Sequence, residues 1–193
     1  IPCAVESEVA SYYRHFGNWL AVFYALSTSD MHMENFIASS EHPVPVDFEM
    51  IMQGLRQRPK AVDDDTEAHW LASRFLENSV LSVGMLPAYV LGQDGSLISM
   101  GALEPSIYPV KVIDWESINT PRMLLKSATD RIEITSNLPS LDNQPVQIGR
   151  YKNEFLAGFV ETMRYMADHY AALLQAVGTL QPQRLSIRKV IRP

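Results

Sequence analysis

Cysteine is almost absent from this chain: Cys3 stands alone among 193 residues. One thiol cannot form an intramolecular disulfide, and it cannot build a zinc site of several cysteines. Long apolar runs are missing as well. The longest, WLAVFYAL at 19–26, falls far short of the ~18 residues a membrane helix needs, so no integral membrane segment is expected. Positive charge is not in excess. The formal net charge of -6 offers no general attraction to nucleic acid or anionic lipid. There is no internal repeat and no low-complexity tract. The chain opens on Ile-Pro rather than Met, with no recognisable signal peptide, and its last stretch, RLSIRKVIRP, stops inside a patterned segment. These features are expected of a piece of a longer protein. The lone thiol points to a reducing, cytoplasmic compartment.

What is present is ordinary globular material, 47% apolar and 20% charged. Val9, Tyr13, Phe16, Leu20, Phe23 and Leu26 recur at helical steps, which predicts a helix over 8–27. A turn-rich SSEHP follows, then a short strand over Val44–Phe48 in which Pro45 favours an edge position or a bulge. Residues 56–68, with the acidic run Asp63–Asp65, read as an exposed loop, and His69–Asn78 as a second helix. Gly, Pro, Ser and Asn crowd 84–122, so loops and short strands are expected there and through 123–150, where NLPSLDNQPV is a turn segment. Tyr151–Val177 carries the most regular pattern: Phe155, Phe159, Met163, Met166, Tyr170, Leu173 and Val177 form one stripe, read as core-facing. The fold class is α+β, mainly helical.

The chemistry concentrates in residues 30–49, DMHMENFIASSEHPVPVDFE. Asp30, His32 and Asn35 sit where the first helical pattern fails, a setting that suits a catalytic loop. A hairpin-like return would bring Asp47 back beside Asn35. One Asp, one Asn and a second Asp supply hard oxygen ligands of the kind magnesium takes, together with phosphate oxygens. A base on a loop, an Asn five residues on and a metal-binding Asp after it form the parts list of phosphoryl transfer. Each residue alone has a plainer reading. Asp30 would cap a helix, His32 would be a hydrogen-bonded structural histidine, Asn35 and Asp47 would be turn residues, and Glu49 a surface carboxylate. Their joint spacing is the signal.

That block, with SYYRHFGNWLAVFYALSTSD before it, NSVLSVGMLP after it and the tail YKNEFLAGFVETMRYMADHYAALL, closely resembles the dehydratase segment of class II (LanM-type) lanthipeptide synthetases. The likeness runs in order over essentially the whole chain. Met31, Met33 and Met50 are departures, standing where that family often has larger, aromatic or hydroxyl-bearing residues.

The resemblance implies the C-terminal lobe of a lipid-kinase-like fold, with residues 1–193 forming part of a dehydratase domain. The N-terminal lobe, with its phosphate-binding lysine, and a zinc-bearing cyclase domain are expected outside this chain. Lys60 and Lys111 lie downstream of the metal motif and do not suit the lysine's role. The implied activity is ATP-dependent dehydration of Ser and Thr in a precursor peptide, by phosphorylation and then phosphate elimination. By position, Asp30 and His32 match the catalytic-loop pair, Asn35 and Asp47 the magnesium ligands, and Glu49 the acidic partner at the nucleotide. Arg188, in RKVIRP, matches the arginine of the elimination step. ATP and magnesium are the implied cofactors. The partner is a precursor with a leader and a Ser/Thr/Cys-rich core, and association with an export machinery is a further expectation. This piece alone is expected to be inactive. Two other readings stand beside this one: a phosphotransferase that stops at phosphorylation, and a non-catalytic peptide-binding module.

Overall fold

The computed structural model describes residues 1–52, 64–92 and 95–179. The architecture is α+β. Helix α1 spans Glu6–Ala25 and buries Val9, Tyr12, Tyr13, Phe16, Leu20 and Phe23 along one face. Glu6 and Glu8 in its first turn complement the positive end of the helix dipole, and the Glu8 carboxylate accepts the Ala4 N–H at 2.7 Å. Ser27, in the left-handed region at φ 50°, ends the helical path.

Strands β1 (Phe36–Ser39) and β2 (His42–Pro45) form a tight antiparallel hairpin, with Phe36 opposite Pro45 and Ser39 opposite His42. The strand expected over Val44–Phe48 therefore lies two residues earlier and is already the return arm of a hairpin. Both strands are edges, which is why Pro43 and Pro45 are tolerated in β2. Helix α1 holds this hairpin. Trp19 Nε1–H donates to Pro43 O at 3.0 Å, and His15 Nδ1 lies 2.7 Å from Glu41 O. The Phe16 and Phe36 rings pack with centroids 4.6 Å apart.

Helix α2 covers Asp64–Glu77, starting earlier than the expected His69–Asn78. Asp64 and Asp65, expected in a loop, fall within this helix. Asp63 and residues 56–62 lie outside the described residues. A 3₁₀ turn, Val80–Val83, follows and ends at Gly84. Strands β3 (Tyr89–Leu91) and β4 (Leu97–Ser99) pair with each other. The long strands β5 (Ser106–Glu116) and β6 (Leu124–Ile134) pair over their whole length. This 11-residue ladder replaces the short strands expected here. Pro109 inside β5 weakened the strand pattern, yet an edge strand accepts it. Within NLPSLDNQPV, strands β7 (Ser140–Leu141) and β8 (Gln144–Pro145) close on Asp142 and Asn143, both with positive φ.

Helix α3 (Lys152–Asp168) packs on α1 at very short range. A Cβ at Gly17 would strike the Phe155 carbonyl, and a Cβ at Gly158 would strike the Arg14 carbonyl. The two glycines thus make reciprocal room for backbone against backbone. The expected single helix breaks at His169, and α4 (Tyr170–Thr179) follows. The stripe is core only at its start. Phe155 is buried and Phe159 partly so, whereas Tyr170 and Leu173 are exposed. Helical spacing gives a stripe its direction, but burial requires a partner surface, and α1 covers only the first half of the stripe.

The core gathers Tyr12, Tyr13, Phe16, Phe23, Met31, Phe36, Val83, Met85 and Phe155. Each large side chain taken out of water contributes ~1.5–3 kcal/mol. Two buried tyrosine hydroxyls are paired: Tyr12 OH donates to Asn137 O at 2.7 Å and Tyr13 OH to Val146 O at 2.6 Å. Asn137 Nδ2 donates in turn to Ala102 O and Glu104 O. Burial pushes the Tyr12 and Tyr13 hydroxyls far above the usual tyrosine range. Among the described residues, no helix is long and apolar enough to cross a membrane.

Candidate functional site

Residues 30–36 alternate in a way their chemistry dictates. Met31, Met33 and Phe36 are buried, at 1%, 0% and 0% exposure. Between them, Asp30, His32, Glu34 and Asn35 face outward. The apolar residues pin the loop into the core while the polar ones are presented to solvent. The departures at Met31 and Met33 are thus anchors: unbranched side chains fill the irregular space under the loop.

Asp30 has φ 65°, the left-handed region, which an L-residue enters at a cost and Asp more readily than most. Two hydrogen bonds hold it there, and both fall on the single peptide group joining Asp30 to Met31. Asn35 Nδ2 donates to Asp30 O at 2.7 Å. On the other side, the Met31 N–H donates to Val83 O at 2.9 Å. That peptide plane cannot rotate without breaking one of them.

His32 caps the short 3₁₀ turn Met33–Asn35, its Nδ1 accepting the Glu34 N–H at 3.3 Å. With Nδ1 as acceptor, the neutral ring carries its hydrogen on Nε2. Nε2 lies 3.8 Å from Asp30 Oδ1, too long for a hydrogen bond but close enough to orient the two groups. The Asp30 side chain is 49% exposed and that of His32 22%, so this ion-pair geometry does little for stability.

The second segment arrives by the hairpin. Beyond Pro45, the Val46 N–H donates to Asn35 O at 3.1 Å, extending the ladder by one step. Asp47 follows directly. Its Oδ1 accepts the Glu49 N–H at 3.0 Å, a local turn that fixes the carboxylate. The segment then reaches the far end of the loop, where the Ser29 N–H donates to Met50 O at 3.1 Å and the Met52 N–H to Leu26 O at 3.0 Å. Residues 46–50 are therefore fastened at both ends of residues 29–35. Asp30, His32, Asn35, Asp47 and Glu49 all lie on these two adjoining segments, and Asp47 and Glu49 are exposed.

The donor chemistry fits a hard cation. Asn35 uses its nitrogen on Asp30, leaving Oδ1 as the ligating end of the amide; Asp47 has Oδ2 beyond the oxygen held by Glu49. Among the described residues, no group of three or more His, Cys, Asp or Glu is set to hold a metal by itself. A cation here would complete its shell with phosphate oxygens and water, which is the habit of magnesium. Arg188 and Lys60 lie outside the described residues.

The sequence reading did not single out Val83 and Gly84, although the quoted NSVLSVGMLP contains them. A stronger signal was available: a Ser cap five residues before a Gly predicts a short turn ended by a left-handed residue. Ser79 does cap the turn, accepting the Leu81 N–H, and Gly84 ends it at φ 86°.

Residues 1–193 match a family described as Domain of unknown function (DUF4135). The chain is a member of that family. It is also 38% identical, over 173 residues, to the lacticin 481/lactococcin biosynthesis protein LcnDR2 of Lactococcus lactis subsp. lactis. That match covers 86% of this chain and 18% of the relative, so the chain spans less than a fifth of the protein it resembles. The LanM-type resemblance read from the motifs is borne out, and the chain is a LanM-like segment.

Proposed function

We propose that the protein carrying this segment modifies a lanthipeptide precursor, dehydrating Ser and Thr side chains at the expense of ATP. A lipid-kinase-like arrangement is part of the proposal, with this chain supplying the lobe that bears the base and the metal ligands. The observation that supports it is the double fastening of residues 46–50 onto residues 29–35. The relative named for lacticin 481/lactococcin biosynthesis supports the choice of substrate.

In the first half-reaction the Ser or Thr hydroxyl oxygen bonds to the γ-phosphorus of ATP, and the bond to the ADP oxygen breaks. Asp30 takes or orients the hydroxyl proton, with His32 holding the carboxylate in place. Asn35 and Asp47 would hold magnesium, which when bound neutralises charge on the phosphate oxygens. Glu49, two residues after Asp47, is assigned as the acidic partner at the nucleotide. In the second half-reaction a base in the same site takes the Cα proton, its electron pair forms the Cα=Cβ double bond, the Cβ–O bond breaks and phosphate departs. Arg188 offsets the charge on the departing phosphate through a paired contact. The balance is ATP to ADP and phosphate, with the residue lighter by one water.

The test uses the full-length protein with a leader-bearing precursor, ATP and magnesium, read by intact-peptide mass. Loss of one water per modified residue, dependent on ATP, is the expected result. An unchanged precursor mass in the presence of all components would overturn the reading.

A further inference from the structure

The loop that presents Asp30 is held from outside the motif, by the turn that follows α2. The Val83 carbonyl takes the Met31 N–H at 2.9 Å, one of the two bonds on the Asp30–Met31 peptide group. Val83 can aim its carbonyl this way because Gly84 ends the 3₁₀ turn at φ 86°, a conformation that L side chains rarely adopt. Space matters separately. A Cβ on Gly84 would lie 3.2 Å from Met31 N and 3.7 Å from Asp30 N and C, all of them backbone atoms. A side chain here would press on the Met31 amide, and the loop would have to yield by a few tenths of an ångström to seat against the turn. The turn is itself immobilised: Val83 and Met85 are fully buried, and Met85 O accepts the Ala102 N–H at 2.9 Å. Ser79 closes the other end, its hydroxyl accepting from Leu81 N and donating to Leu76 O.

We infer that Gly84 is a positioning residue for the phosphoryl-transfer step, setting the backbone of Asp30 through Val83 and the Met31 amide. The inference rests on the function proposed above, but its structural half stands apart from it. The nearest atoms to a Cβ at Gly84 are backbone atoms of Met31 and Asp30. Gly84 acts by keeping the peptide plane at Asp30 in one orientation, and small misplacements of a reacting group cost rate steeply.

Two variants separate space from backbone strain. Gly84→Asn keeps a residue that tolerates the left-handed region but adds the Cβ against Met31. Gly95→Ala is the control: Gly95 also has positive φ, at 80°, but a Cβ there meets nothing within 4 Å. In the full-length protein, Gly84→Asn is expected to lower kcat for peptide phosphorylation at least about tenfold, while KM for the peptide moves less than about threefold. Gly95→Ala is expected to leave kcat unchanged. An unaltered kcat in Gly84→Asn, or an equal loss in Gly95→Ala, overturns the inference. Should the wild-type protein show no ATP-dependent modification, the functional reading fails and hydrogen exchange at the Met31 amide decides the rest. Faster exchange in Gly84→Asn than in wild type or Gly95→Ala upholds the positioning role, and unchanged exchange overturns it.

Discussion

The side-chain nitrogen of Asn35 donates to the carbonyl of Asp30 at 2.7 Å, tying the residue read as metal ligand to the residue read as base. One amide thus serves two ends. Its nitrogen fixes the backbone at Asp30, and its oxygen is the end proposed to meet a cation. The five-residue spacing between the two is the distance at which a short 3₁₀ turn returns the side chain to the start of the loop.

This coupling makes Asn35→Asp more damaging than a ligand swap suggests. The new carboxylate could still bind a cation, but it cannot donate to Asp30 O and places negative charge beside it. Phosphorylation should fall on the order of 10²-fold, with stability changing by only about 1 kcal/mol because the loop is solvent-exposed. Steady-state phosphorylation kinetics together with denaturant unfolding check both parts.

Helix contact at Gly17 and Gly158 gives a stability prediction independent of function. Either glycine changed to Ala drives a Cβ into a backbone carbonyl of the facing helix. Backbone cannot yield as a flexible side chain does, so α1 and α3 must separate. A loss of about 3 kcal/mol is expected for each, at the upper end of overpacking costs. Chemical denaturation of the full-length protein measures it.

The fold was legible where pattern and partner coincide. α1 was read within two residues of its ends, because its stripe is continuous and the pattern fails just before Asp30. The hairpin return to Asn35 was read from the turn residues and the spacing. β5 and β6 were not, since Pro109 and scattered charge interrupt the alternation that identifies a strand. The second half of the 151–177 stripe was read as core, yet no described element covers Tyr170 or Leu173. Of the site, Asp30, His32, Asn35, Asp47 and Glu49 were visible as a spacing, while the hold from Val83 was not. A contact between residues 52 positions apart, made through backbone atoms, leaves no mark in residue identity beyond a glycine.

Alkaline pH should destabilise the protein through Tyr12 and Tyr13. Burial holds their hydroxyls protonated in the folded state, above the ordinary value of 10.0. Unfolded tyrosines ionise near that ordinary value. Their contribution is therefore complete below about pH 10 and is lost as pH rises above it. Tyr12→Phe should flatten this slope while costing about 1–3 kcal/mol at neutral pH, because Asn137 O loses its buried partner. Unfolding midpoints measured across the alkaline range test the sign.

If Arg188 serves the proposed elimination step, its removal should separate elimination from transfer. Arg188→Ala in the full-length protein should leave phosphorylation intact and accumulate phosphopeptide, seen as a gain in peptide mass. A simple phosphotransferase would yield phosphopeptide from the wild type and show no effect of the substitution.

Asp47→Ala, assayed in the full-length protein with precursor, ATP and magnesium, bears most directly on the site. If Asp47 and Asn35 share one cation beside Asp30, the variant yields neither phosphorylated nor dehydrated peptide, while its unfolding midpoint stays close to wild type. Dehydration at the wild-type rate would show that the hairpin brings Asp47 to this loop for some other purpose.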